Sequence, residues 1–457
     1  MSSSKRDHEH DPGREALEKE FRAMFAERSE TVRLTTAPYA AVRGRIAAAR
    51  RKRRMRIGGV GVAFAVVAVG VGVWAAGPIR HHAVAPTSHD TGQTSAGGAP
   101  AKVYYSDGHT EVDSALQDAV LDWLQANYKG DLSGLTVITT FDRDVQRVAD
   151  QSSPDGTVTV LDSRNGGVLA LTGRWQNPLE IGDIMKPVVL AAAFKNHAYN
   201  PDTTMPLDSR THPLYFPPGA NVPLTYEAGN KQANWPPEYP TTHIQDIDVT
   251  LRQAAEIGAN EPFARLTLSD GVGPAAVRQT AVGLGMLNSS ESLVAVPSVG
   301  LGTAQVSPLT MANVYATLDD GGVRHDPRMV SKIVKPSGKV VWTPPDTGTQ
   351  VLPSTAAHQV TDVLHSALMD GTTGTYTGAR QGAGPDTWAM AGAPDTEKAA
   401  WFDGAESHYV VAVAISKMDH NGDLLPVGDD HQGGPDVGSR LAGPIWASLA
   451  QTLRNRG

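Results

Sequence analysis

Twenty consecutive residues, GGVGVAFAVVAVGVGVWAAG from Gly58 to Gly77, carry no charge. A helix of that length, at about 1.5 Å rise per residue, spans the roughly 30 Å hydrocarbon core of a bilayer. The stretch before it, RGRIAAARRKRRMR (Arg43 to Arg56), holds eight basic residues. After it, only Arg80 and then Lys102 precede the expected folded region. The positive-inside rule therefore predicts a single-pass plasma-membrane protein, with the N-terminus cytoplasmic and the bulk of the chain outside. A cleaved signal peptide fits poorly, because 57 residues precede the apolar run and Trp74 interrupts the small-residue cleavage pattern.

The 457 residues suffice for two or three domains. The absence of cysteine excludes disulfides, iron–sulfur clusters and thiolate zinc sites. The net charge of -8 is uneven: residues 1–57 carry 15 Lys/Arg against 8 Asp/Glu, net +7, leaving -15 for residues 58–457. An acidic bulk argues against nucleic acid as a partner. Neither a cofactor nor a metal is expected. The three histidines of residues 81–101 lie in a Pro/Gly/Ser/Thr-rich linker without ligand spacing. Asp419, Asn421 and Asp423 begin like a calcium loop, but Leu424 stands where the glycine is required, so an acidic surface loop is expected. Trp235 reads as a packed aromatic at a loop base.

These shifts divide the chain into a basic cytoplasmic segment (1–57), a transmembrane helix (58–77), a linker (78–102), a helical lead-in (103–133) and a main domain (134–457). In the first segment Leu17, Phe21, Met24 and Phe25 share one helical face. The periodicity predicts a helix over 112–128, a strand in LTVITTF, and a helix capped by Asp142. GTVTVLDSRNGGVLALTG reads as a hairpin turning at Asn165-Gly166. Residues 198–245 read as extended loop, 250–287 as helices, KAAWFDG and SHYVVAVAISK as a second hairpin, and 437–453 as a closing helix. Strands at both ends with helices between them suggest a mixed α/β sheet closed by its terminal elements.

The order of these segments over about residues 134–453 resembles the transpeptidase domain of penicillin-binding proteins, especially the bifunctional class without its glycosyltransferase domain. GLTVITTFDRDVQRVAD, the first hairpin, AWFDG (400–404) and above all LGTAQVSPLTMANVYATLDDGGVRHDPRMV (301–330) carry the likeness. The resemblance implies an α/β (α+β) fold of the penicillin-binding transpeptidase and serine β-lactamase kind. That fold is an antiparallel sheet flanked by helices, with a helical subdomain. It also implies three motifs, S-x-x-K, S-x-N and K-T-G, supplying a nucleophilic serine, an activating lysine, a proton-relaying serine and a lysine that holds the substrate carboxylate.

Matched residue by residue, GDIMKP places Asp183 at the first serine and keeps Lys186. EIGANEPFARL places Gly258 at the second serine and keeps Asn260, and AGAPDT places Ala393, Pro394 and Asp395 where Lys, Thr and Gly belong. Thr396 matches a residue that often follows the third motif. The other S-x-x-K, Ser2 to Lys5, lies on the cytoplasmic side, and no K-T-G or K-S-G occurs. No intact catalytic set is expected. Asp183 should cap the helix start and pair with Lys186 three residues on. A carboxylate attacking a peptide would give a reactive anhydride, so Asp183 is not expected to replace the serine as nucleophile. Lys186, Asn260 and Thr396 remain to line a ligand cleft. The expected protein is a pseudoenzyme that binds a cell-wall peptide or an envelope protein. The alternatives are residual D,D-transpeptidase or carboxypeptidase acyl transfer, and a transmembrane sensor of cell-wall fragments or β-lactams.

Overall fold

The computed structural model describes residues 101–456, apart from 154–155, 208–211, 219, 229–230, 237–247, 288–291, 371–375, 395 and 428–435. The cytoplasmic segment 1–57, the apolar run 58–77, linker residues 78–100 and Asp395 lie outside the described residues. Among the described residues, no helix is long and apolar enough to cross a membrane.

The folded region opens with β1 (Lys102–Tyr104) and α1 (Ser114–Asn127). Asp113 caps α1 by accepting the Leu116 amide, which fixes the start just inside the expected span. The lead-in is not purely helical, because β1 pairs in parallel with β2 (Thr136–Thr139). A strand of three residues is too short to reveal its period in sequence. β7 (Val330–Val334) and β8 (Val340–Trp342) complete a four-stranded sheet, ordered β1-β2-β7-β8. Val103, Leu124, Phe141, Ile333 and Ala412 share one apolar cluster, so the lead-in is packed onto the main domain.

Asp142 accepts the amides of Asp144 and Val145 and caps α2 (Arg143–Ser152) as expected. β3 (Thr157–Asp162) and β4 (Gly167–Leu171) form the predicted hairpin. β9 (Trp388–Gly392), β10 (Ala400–Glu406) and β11 (Tyr409–Ile415) join them in a five-stranded sheet, ordered β9-β10-β11-β3-β4. Chain ends do close this sheet, through β11 against β3, but every pair is antiparallel, which corrects the mixed sheet expected from strand order. β3 and β10 are buried throughout, because helices cover both faces. On one side lie α2 and the closing α9 (Gly443–Arg454). On the other lie α7 (Pro308–Asp319) and α8 (Ser354–Asp370), with α3 (Lys186–Phe194) packed against α8.

The helical subdomain contains α4 (Leu251–Glu256), α5 (Glu261–Leu268) and α6 (Gly273–Leu284). The region read as loop also holds short strands at Thr204–Pro206, Thr225–Ala228 and Lys231–Asn234. Trp235 packs with Leu214 and Ala264, so its role is structural.

Candidate functional site

Two short strands bring the chain to the site. β5 (Leu179–Glu180) pairs with β6 (Gln305–Val306), and a 3-10 turn, Gly182–Met185, leads directly into α3. The turn exists because Gly182 takes φ +59, a left-handed conformation that glycine adopts at little cost. A Cβ at Gly182 would stand 2.5 Å from the Ala393 carbonyl oxygen and 2.8 Å from the Pro394 nitrogen. Its amide donates to Gly302 O at 3.0 Å. The first and third motif positions are thus in direct backbone contact. Pro187 in the first turn of α3 suits the helix start, and the alanines at 191–193 let the wholly buried helix pack closely.

Lys186 is fully buried. Its Nζ lies 2.8 Å from Asp183 Oδ1 and donates to Gly258 O at 2.9 Å. The Phe263 ring lies below it, 5.3 Å from Nζ to the centroid. Gly258 offers its carbonyl from a left-handed backbone at φ +66. The first and second motif positions therefore meet at the lysine. The expected pairing of Asp183 with Lys186 holds, but the expected capping role does not. Neither the 3-10 turn nor α3 has a side-chain cap, and the carboxylate is directed to the ammonium instead. A full charge nearby outcompetes the partial charge of backbone amides.

Asn260 is half-buried at the start of α5, where its side chain caps no amide. Thr396 Oγ1 donates to Glu180 Oε2 at 3.4 Å, linking the third-motif loop to β5. β9 ends at Gly392, and neither Ala393, Pro394 nor Thr396 is strand. Pro394 has no amide to extend a ladder, and the Glu397 amide donates back to Pro394 O at 2.8 Å.

Beneath the turn lie residues that sequence reading did not identify. Tyr315 on α7 donates its hydroxyl to Ile184 O at 3.2 Å and stacks on Trp388 with centroids 5.6 Å apart. Burial pushes the Tyr315 hydroxyl well above its ordinary range. Burial also raises Tyr376, whose hydroxyl contacts Met390 and the Ala391 amide. Trp401 donates its indole N–H to Glu180 O at 2.9 Å. No local spacing marks these contacts, since each joins segments more than 50 residues apart, except Tyr376 with β9. Elsewhere, Asp419 Oδ1 accepts the amides of Asn421 and Asp423 and so closes its own turn. Among the described residues no group of three or more His, Asp or Glu could hold a metal ion.

Residues 248–417 match the family model described as penicillin binding protein transpeptidase domain. Penicillin-binding protein 2D of Bacillus subtilis is 24% identical over 304 residues, which cover 59% of this chain and 41% of that protein. Penicillin-binding protein 1B of Escherichia coli is 23% identical over 317 residues, covering 63% of this chain and 35% of that protein. The chain therefore spans about two fifths or less of the length of these relatives. Among solved structures, the D,D-transpeptidase domain of a peptidoglycan glycosyltransferase from Eggerthella lenta matches at TM-score 0.58 and 18% identity, covering 79% of this chain and 99% of that one. The penicillin-binding protein PonA1 from Mycobacterium tuberculosis matches at TM-score 0.57 and 23% identity, covering 74% and 90%. An antiparallel sheet flanked by helices, the family-model match over residues 248–417 and these neighbours agree: the chain has the fold of a penicillin-binding-protein transpeptidase domain.

Proposed function

We propose that this chain is a membrane-anchored, extracytoplasmic transpeptidase-like protein of the cell wall that binds without turning its ligand over. The observation that carries the reading is the Asp183–Lys186 ion pair at the position where the resemblance puts the nucleophilic serine. The lysine that would activate a hydroxyl is engaged by a carboxylate and a carbonyl. Loss of a catalytic serine commonly costs on the order of 10⁶ in rate. Replacement of the third-motif lysine by Ala393, with Asp395 beside it, makes the local charge two units more negative where a substrate carboxylate would sit. The apolar run 58–77 with its basic flank supplies the anchor.

A fluorescent penicillin incubated with the full-length chain tests the catalytic half of the reading. No covalent label is expected. A label that survives denaturation and disappears in Asp183→Ala would overturn the reading in favour of acyl transfer. For the anchor, the chain should fractionate with membranes and its bulk should be digested by protease added outside intact cells. Protection of the bulk from that protease would reverse the orientation.

A further inference from the structure

Asp403 lies in the middle of β10, in the central sheet, and is completely buried. Among the described residues neither of its carboxyl oxygens has a well-formed hydrogen bond or a side-chain partner; the Val413 backbone amide is the donor that approaches the carboxyl. In register beside it is Ala412 of β11, and beside that is Thr159 of β3, also completely buried with an unpartnered hydroxyl. Neighbouring strands lie about 4.8 Å apart, so a carboxyl and a hydroxyl stand two strands from each other across a methyl group. Alternation along the strands puts all three on one face. That face packs against α7, whose Ala312 shares an apolar cluster with Ala412.

Among the described residues, the groups that face Asp403 offer no cation. α7 contributes Tyr315 and, one turn on, Asp319, whose carboxyl is taken by Ser163 and Trp388. β9 contributes Met390 in register with Asp403, and the Tyr376 hydroxyl rests on Met390 Sδ. The buried ammonium of Lys186 is committed to Asp183 and Gly258. An ionised carboxylate left bare in such a core would cost far more than keeping its proton.

From this placement we propose that Asp403 is a proton-binding site of the core. It is a neutral carboxylic acid in the folded domain and gives up its proton only when the sheet opens beneath α7. Burial raises the proton affinity of Asp403 well above that of a free aspartate, in line with the geometry. The sign of the linkage follows. A raised folded-state affinity leaves the contribution of Asp403 fully favourable below the ordinary aspartate range near pH 3.9. That contribution is lost as pH rises through and beyond it. Acid on the exposed side of the domain thus tightens the platform on which Tyr315 holds the Ile184 carbonyl, directly beside Asp183.

The test compares the full-length chain with Asp403→Asn and Asp403→Val in denaturant titrations between pH 5 and pH 8. Relative to either variant, the wild-type folding equilibrium constant should fall by up to about tenfold per pH unit. Equal slopes in wild type and variants would overturn the proposal. An independent reading needs neither Asp403 variant to fold. With aspartate labelled at the side-chain carboxyl with carbon-13, the wild type should show an infrared band of a protonated, labelled carboxyl at pH 8. The band should persist in Asp319→Asn. Its absence from the wild type sinks the assignment.

Discussion

The Lys186 ammonium and the Asp183 carboxylate stand 2.8 Å apart at the opening of a helix in which every residue is buried. Their burial is unequal: the lysine side chain is 0% exposed and the aspartate 15%. Removing the aspartate strands a cation in the core, whereas removing the lysine leaves an anion with some access to water. Asp183→Ala should therefore destabilise by about 3 kcal/mol, and Lys186→Met by about 1 kcal/mol. Denaturant titration of both variants checks the order. The reverse order would show that Lys186 does not depend on its partner.

Gly182→Ala should cost more than about 2 kcal/mol. It combines a left-handed backbone penalty of roughly 1 kcal/mol with a Cβ placed 2.5 Å from Ala393 O. Because the clash is with backbone, no rotamer change relieves it. Thermal melting measures the loss, and a neutral substitution would mean that the first and third motif segments are not in contact.

Peptides ending in D-Ala-D-Ala should bind weakly, with Kd of about 1 mM or above. Ala393→Lys should tighten binding several-fold by returning a cation to the third motif. Calorimetric titration decides it. Micromolar binding by the unaltered chain would contradict the charge argument.

Asp319 supplies a second pH dependence. Burial raises its carboxyl to about 6, against the hydrogen bonds donated by Ser163 and Trp388. Its folded-state value lies above the unfolded one, so its contribution is complete below about pH 4 and lost as pH rises to about 6. The loss should be on the order of 1–3 kcal/mol. Asp319→Asn should flatten the stability curve between pH 4 and pH 6. An unchanged curve there would show that Asp319 ionises freely.

Much of the fold was legible along the chain because its signals are local. Asp142 caps its helix by bonding amides two and three residues away, and the turn at Asn165-Gly166 needs only its own backbone preferences. The pairing of Asp183 with Lys186 could be read from helical spacing. The Gly258 carbonyl, the Phe263 ring and the Tyr315 hydroxyl could not, because each reaches the site from a distant segment. β1 was missed for its shortness, and strand order alone suggested a mixed sheet, because it carries no direction for pairs that form across the whole chain; the antiparallel sheet was expected from the family resemblance.

By itself the sequence determined which side chains stand at the three motif positions, and hence that no serine hydroxyl follows Gly182. It also determined the unequal distribution of charge between the first 57 residues and the rest. Only the tertiary structure decided that Asp183 answers Lys186 instead of capping a helix, and that Ala393 presses on Gly182. It alone buried Asp403 away from any side-chain partner among the described residues. The reason is physical: identity and local bonding are properties of neighbours in the chain. The cost of a charge, or of a missing hydrogen bond, depends on what folding packs around it.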